Sequence, residues 1–315
     1  MAVHFIAYPG ELIFGYIIII IDWLEKTGKM DFPSRTVMRH AIGLLSFFCW
    51  LLVPIHSAHA QFTAEEVAQR PFWEEFLKTA EIVRFEEIGE GVTKPYKLYL
   101  QKGDTQSKAC WKDPKGLRDG FLEGWQYEIA AYQLDKLIGL NIVPPAVERE
   151  FNGKPGALVF WVTSEYSLLK IMEEGIKIPD NALPHSENMK YLTRAWDALI
   201  ANDDRTQQNV LYTKDWRMIL IDHSQAFRSS KEYSDNLLFG RKGLKRGDDG
   251  RSLLFRRLPR WFVDNLKKLD FKTVKGAVGP YLTDKEIEAI IKRKALLLAE
   301  IDEMINESGE AKVLY

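Results

Sequence analysis

The stretch DDRTQQNVLYTKDWRMILIDH, from Asp203 to His223, decides how the chain is read. It reads as a polar loop, a strand, a short turn and a second strand that ends in an acid. Asp204 and Asn209 stand five residues apart, and Asp222 follows Asn209 by thirteen, directly after the apolar run Met218-Ile219-Leu220-Ile221. A loop that carries an Asp and an Asn, followed by an Asp at a strand end, presents hard oxygen donors suited to a divalent cation and phosphate. A plainer reading competes with this one. Asp, Asn and Gln are ordinary turn residues between a helix and a hairpin, and Asp222 could simply cap the next turn. The rest of the chain has to supply the other parts of a phosphoryl-transfer centre.

Upstream, Ile82 to Ile88 suits a strand, Gly89-Glu90-Gly91-Val92-Thr93 follows, and Tyr96 to Leu100 suits a second strand. A strand–Gly-x-Gly–strand unit can lay bare backbone N–H groups over phosphates; a glycine pair between strands also serves as a plain hairpin turn. The next strand, Ser107 to Lys112, stops at Asp113-Pro114. A period of two puts Lys108, Cys110 and Lys112 on one face and Ala109 and Trp111 on the other. A lysine on a strand after a glycine hairpin is where a nucleotide kinase places its phosphate-pairing cation, and a solvated edge lysine would look the same. From Gly120 to Leu140 the spacing of Tyr127, Ala130, Ala131, Leu134, Leu137 and Ile138 predicts a helix ending at Gly139. Glu123 and Glu128 are its acids. Glu128 lies among the apolar positions, so buried it needs a cation, which Lys112 can supply. Gly156 to Val162 is a continuous apolar run that reads as a buried central strand. Trp161 and Val162 at its end are candidate contacts for an adenine ring, and core packing explains them equally.

Ser186 to Ala201 is predicted as a helix capped by Ser186, with Met189, Leu192, Ala195, Trp196, Leu199 and Ile200 as its apolar stripe. It delivers the chain into the Asp203–His223 stretch. After Asp222 comes a segment rich in Lys, Arg and Gly, from Lys231 to Arg260, which suits an anionic substrate or lipid surface, or is solvated with Asp248 and Asp249 offsetting it. The tail is helical, and Thr283 with Glu286 forms a capping-box pattern, as does Thr63 with Glu66. The net charge of −1 over 315 residues gives no global attraction to nucleic acid.

Two apolar runs precede the globular part. Leu12 to Leu24 is short for a bilayer span and is broken by Asp22. Met38 to Gln61 has a basic start at Arg39-His40, an apolar core from Ile42 to Val53 and a small-x-small site at Ala58-His59-Ala60. The expectation is a signal peptide over 38–60, with residues 1–37 a mis-assigned start; the alternative is a membrane anchor formed by the two runs. Either way the working domain begins near Gln61 and lies outside the cytoplasm, secreted or periplasmic. Removal of Cys49 would leave Cys110 as the remaining cysteine, so no intrachain disulfide could form.

Taken in order, Gly89-x-Gly91, Lys112, Glu128, Asp204-Arg205-x-x-x-Asn209 and Ile221-Asp222 resemble the atypical kinases. That superfamily holds phosphatidylinositol kinases, HipA-like bacterial kinases and secretory-pathway kinases of the Golgi casein-kinase and four-jointed type. The run Glu128-Ile-Ala-Ala-Tyr through Leu-Gly-Leu-Asn-Ile-Val-Pro-Pro145, with Asp204-Arg205 and Ile221-Asp222-His223, is most similar to the secretory type. The resemblance implies an α+β, two-lobed kinase-like fold: a small, mainly antiparallel β lobe over 61–163 and a larger helical lobe over 164–315. It implies ATP with Mg2+ or Mn2+, and a hydroxyl acceptor on a protein, glycan or lipid. By the same resemblance Lys112 pairs the phosphates, Glu128 holds Lys112, Asp204 is the catalytic acid or base, and Asn209 and Asp222 are metal ligands. Thr206 departs from the family's Asp-Arg-His form of the loop, which keeps a non-catalytic, ligand-binding pseudokinase as the alternative.

Overall fold

The computed structural model describes residues 62–89, 94–118 and 120–315. The signal-peptide and membrane-anchor expectations, Cys49 and Gly91 fall outside these residues. Among the described residues no helix is long and apolar enough to cross a membrane.

Among the described residues two short helices come first: α1 (Ala64–Ala68), started by the Thr63/Glu66 capping box, and α2 (Arg70–Thr79), with Pro71 at its first turn. The lost Pro71 N–H would have had no helical partner there, so proline starts this helix rather than breaking it. Five antiparallel strands follow: β1 (Glu81–Glu87), β2 (Tyr96–Lys102), β3 (Thr105–Lys112), β6 (Ala146–Phe151) and β7 (Lys154–Phe160), in the order β1-β2-β3-β7-β6. One face of this sheet buries Leu98, Leu100, Ala109, Trp111 and Leu158 against Phe76 and Leu77 of α2. Arg149 ties sheet to helix by donating 2.6 Å hydrogen bonds to the Leu77 and Ala80 carbonyls, which the end of α2 leaves without intrahelical partners.

The other face carries Lys112 and meets α3 (Gln126–Ile138). This helix starts later than its periodicity predicts. A hairpin, β4 (Lys115–Arg118) and β5 (Phe121–Gly124), takes the first part of that span. Gly120, at φ 81°, makes the turn, and the Gly124 N–H docks on the Ser224 carbonyl at 2.9 Å. Glu123 is therefore a strand residue and not a helix acid. The apolar stripe begins only at Tyr127, so periodicity alone could not see the hairpin. Gly139 closes α3 in the left-handed conformation at φ 77°, as glycine does most easily.

The core on this side continues from α3 into the helical half, so the two lobes share it. The helical half comprises β8 (Tyr166–Ser167), α4 (Leu168–Glu173), α5 (Leu183–Ile200), β9 (Val210–Tyr212), β10 (Met218–Leu220), α6 (Lys231–Asp235), α7 (Arg260–Lys268), α8 (Phe271–Val278), α9 (Asp284–Ser308) and α10 (Glu310–Val313). The short strands form a second antiparallel sheet, β10-β9-β8. Helix α5 begins at Leu183, with Pro184 in its first turn and no side-chain cap. Ser186, expected as the cap, instead meets the Tyr212 hydroxyl at 3.2 Å. The Thr283/Glu286 capping box starts α9 as the sequence predicts. The fold is α+β: an antiparallel sheet lobe followed by a helical lobe. Much of the basic segment is neutralised internally. Arg241 pairs with Glu307, Lys245 with Asp203, and Arg260 with Glu310.

Candidate active site

Three side chains far apart in sequence converge where the two halves meet. The Lys112 ammonium lies 2.6 Å from Glu128 Oε1 and 2.9 Å from Asp222 Oδ1. Lys112 comes from β3, Glu128 from the first turn of α3, and Asp222 from the end of the β9–β10 hairpin. Burial disfavours the charge on Lys112, but the Asp222 and Glu128 carboxylates more than offset it and hold the ammonium above its ordinary range. Burial likewise disfavours ionised Glu128. The Lys112 charge and the hydrogen bonding from His223 overcome this and push the carboxyl below its usual range.

Asp222 sits at φ 57°, in the left-handed region, where a non-glycine residue is strained and Asp is among the more tolerant. This conformation turns its side chain toward Lys112. Its Oδ1 accepts from Lys112 and from Ser224 Oγ at 3.1 Å. The side chain is 40% exposed, and Oδ2 accepts no hydrogen bond among the described residues, which leaves a carboxylate oxygen open. Asn209 ends the short 3-10 turn Gln207–Asn209, and its carbonyl accepts from the Ile221 N–H at 3.1 Å, so it stands beside the end of β10. Its amide nitrogen donates to the Asp204 carbonyl at 3.3 Å. The amide oxygen accepts nothing among the described residues.

The loop itself is held from behind. Arg205 makes a two-pronged pair with Asp197 of α5 at 3.0 and 3.1 Å and donates to the carbonyls of Ile221 at 2.6 Å and Asn209 at 3.2 Å. Its Nη2 also meets His223 Nε2 at 3.0 Å. A guanidinium can only donate, so Nε2 is the acceptor and the ring proton lies on Nδ1. The His223 backbone N–H donates to Glu128 Oε1 at 2.9 Å. Asp197, Arg205, His223 and Glu128 thus form one buried chain of contacts beneath the site.

The two neighbouring acids separate cleanly. Asp203 is engaged by Arg228 at 2.7 Å, by the Tyr233 hydroxyl at 2.9 Å and by Lys245. The Asp204 carboxylate has no hydrogen bond among the described residues, and only its backbone is tied: the N–H donates to Asn202 Oδ1 at 3.3 Å and the carbonyl accepts from the Thr206 N–H at 3.0 Å and the Asn209 amide at 3.3 Å. Partial burial and the Asp222 charge raise its pKa, against the milder pull of Arg228, Arg118 and Arg205. Thr206 is exposed and precedes the 3-10 turn, its carbonyl accepting from the Asn209 N–H at 3.1 Å.

The remaining expected positions divide. The Trp161 ring lies under the Lys97 ammonium at 4.8 Å; Lys97 is the register partner of Cys110, so the ring belongs to the same sheet face as Lys112. Val162 instead lines a cavity of about 390 Å³ with Phe62, Trp73, Phe160 and Ile219, among the packing of the N-terminal helices. Gly89 stands just past β1, with nothing within 4 Å of where a Cβ would be.

Sequence reading missed Glu123 as a site residue. Its buried Oε1 accepts from Ser224 Oγ at 3.4 Å and Arg118 Nη1 at 3.4 Å. Since Ser224 also bonds Asp222, a second carboxylate stands beside the first. The available signal was an acid five residues before Glu128, and the mistaken helix obscured it. Asp197 was legible by the criterion that found Glu128, an acid inside an apolar stripe, but was not singled out.

No protein-family model matches the sequence, and no curated protein matches it. Solved structures do match. A hydra Fam20 structure with sugar aligns with a TM-score of 0.58 at 15% identity, over 82% of this chain and 95% of that one. A Golgi casein kinase aligns with a TM-score of 0.53 at 15% identity, over 79% of each chain. The same kinase solved with Mn and ADP gives 0.52 at 15% identity. At this identity the likeness is one of fold: the chain has the atypical-kinase fold.

Proposed function

We propose that this protein is an atypical kinase that transfers the γ-phosphoryl group of ATP to a hydroxyl of a protein, glycan or lipid acceptor outside the cytoplasm. The observation that carries the reading is Lys112 held between Glu128 and Asp222, with the unengaged Asp204 carboxylate on the adjoining loop. Phosphoryl transfer is mostly positioning and charge stabilisation. Lys112 pairs phosphate oxygens, and Glu128 keeps its ammonium aimed. Asp204 accepts the proton of the acceptor hydroxyl, for which a free, partly desolvated carboxylate is suited. The donor types suit Mg2+ or Mn2+: Asp222 Oδ2 and the Asn209 amide oxygen, which accept no hydrogen bond among the described residues, with Glu123 linked to Asp222 through Ser224. Such ions take one or two carboxylates and complete their shell with phosphate and water. When bound, the metal neutralises charge on the transferred group.

ATP with Mg2+ or Mn2+ should raise the thermal midpoint of the purified protein, and Asp222→Ala should abolish that gain. No shift in the unsubstituted protein would sink nucleotide binding. A shift without phosphate incorporation into any acceptor would favour a pseudokinase, the reading that Thr206 motivates.

A further inference from the structure

A second concentration of unmatched charge lies away from Lys112. Between α5 and the segment 249–256 is a cavity of about 520 Å³ whose charged wall is Lys190, Arg194, Arg251, Arg256 and Asp249. Two of the four cations are matched: Lys190 by Glu187 at 2.5 Å and Arg251 by Asp249 at 2.9 Å. The other two are not. Arg194 is half-buried, donates to the Leu254 carbonyl at 2.5 Å and stacks near the Phe239 ring at 5.7 Å, with no acid in ion-pair contact among the described residues. Arg256 is exposed and makes no hydrogen bond or ion pair among the described residues. Both guanidiniums line this one cavity; burial chiefly lowers the pKa of Arg194, Tyr191 and Glu187 offset this in part, and Arg256 adds a smaller lowering contribution. Four cations share this concavity with a single lining acid, Asp249, and such an excess of like charge favours the entry of an anion.

This cavity shares Lys190, Arg194 and Leu253 with a second one of about 540 Å³, which reaches Asp203, Arg205 and Thr206 on the loop that bears Asp204. The two form adjoining compartments with the Arg194 side chain in their common wall. Guanidinium forks match tetrahedral oxyanions in geometry as well as charge. We propose that Arg194 and Arg256 form a binding site for a phosphate- or sulfate-type oxyanion, and that it docks an acceptor carrying such a group next to the candidate catalytic loop. The link to an acceptor rests on the phosphotransfer reading; the anion site itself does not.

The test is titration calorimetry of the intact protein with inorganic phosphate, and separately with phosphoserine as a small ester, at fixed ionic strength. Arg256→Gln alters an exposed side chain that makes no hydrogen bond or ion pair among the described residues, so the fold should be preserved. It should weaken binding about tenfold or more, since each charge-assisted hydrogen bond to an anion contributes at least that. Arg194→Gln should do the same, while Lys112→Met and Asp204→Ala, which lie outside the cavity, should leave this binding unchanged. Tighter binding of the ester than of free phosphate assigns the site to an acceptor group; equal binding assigns it to the free ion and overturns the docking role. If phosphate does not bind, or binds Arg256→Gln as well as the unsubstituted protein, the site is refuted. Loss in Lys112→Met alone would refute it too, because phosphate would then be occupying the nucleotide site. None of these outcomes depends on turnover, so the kinase reading stands or falls separately.

Discussion

Lys112 has two carboxylate partners, whereas Glu128 has one cation, and this asymmetry makes a quantitative prediction. Lys112→Met leaves Glu128, 2% exposed, ionised and facing no cation. Breaking a buried pair from one side costs about 3–5 kcal/mol. Glu128→Gln is milder. The amide oxygen can still accept from Lys112 and the His223 N–H, and Lys112 keeps Asp222 at 2.9 Å; downgrading charged to neutral hydrogen bonds costs about 1–2 kcal/mol. The pH of the assay follows from the shifts. Glu128 is depressed, so its contribution is present above the ordinary carboxylate range and fades as pH falls through its folded value. Lys112 is raised, so its contribution is present below the ordinary ammonium range and fades as pH rises through its folded value. At pH 7.5, chosen on the plateau at about neutral, both act in full. Urea unfolding should therefore rank Lys112→Met well below Glu128→Gln, with the double variant Lys112→Met/Glu128→Leu recovering part of the loss because no orphan charge remains. For a chain of this size the gap corresponds to roughly 2–4 °C per kcal/mol in the melting midpoint. Equal losses in the two single variants, or a double variant no better than Lys112→Met, would refute the shared-lysine geometry.

Two further outcomes follow from packing and burial. Gly156→Ala should destabilise by more than about 1–3 kcal/mol in urea unfolding, because its Cβ would fall 2.6 Å from Trp111 and 2.8 Å from the Lys112 carbonyl oxygen; a neutral result would show that β3 and β7 are not so closely apposed. Burial pushes the Cys110 thiol up to about 11, partly against the Lys112 charge. The thiolate is the reactive form, so labelling of the native protein should be slow near neutral pH and climb about tenfold per pH unit toward that value. Unfolding in urea should remove this protection, and equally fast labelling of native and unfolded protein would contradict it.

Legibility in the sequence followed the range of the interactions. Period two on β3 correctly placed Lys108, Cys110 and Lys112 together, and the capping boxes at Thr63 and Thr283 were read from residues three apart. The β4–β5 hairpin was not legible. Its strands are four residues long, and it is held in part by Gly124 docking on Ser224, a hundred residues away. Val162 was open to an adenine contact or to core packing, because a strand's end alternates faces and sequence does not say which face meets the site.

The Asp203–His223 stretch by itself determined the chemistry on offer: oxygen donors on a loop and at a strand end, after a helix and around a hairpin. Glu128 inside an apolar stripe also announced that a cation must meet it, since a buried carboxylate without one is prohibitively unfavourable. The tertiary structure decided which groups are free to act. It ties Asp203 to Arg228, Tyr233 and Lys245 and leaves the Asp204 carboxylate open. It brings Glu123 beside Asp222, and it threads His223 between Arg205 and Glu128. Each of these depends on contacts between residues distant in the chain, and local periodicity carries no information about those.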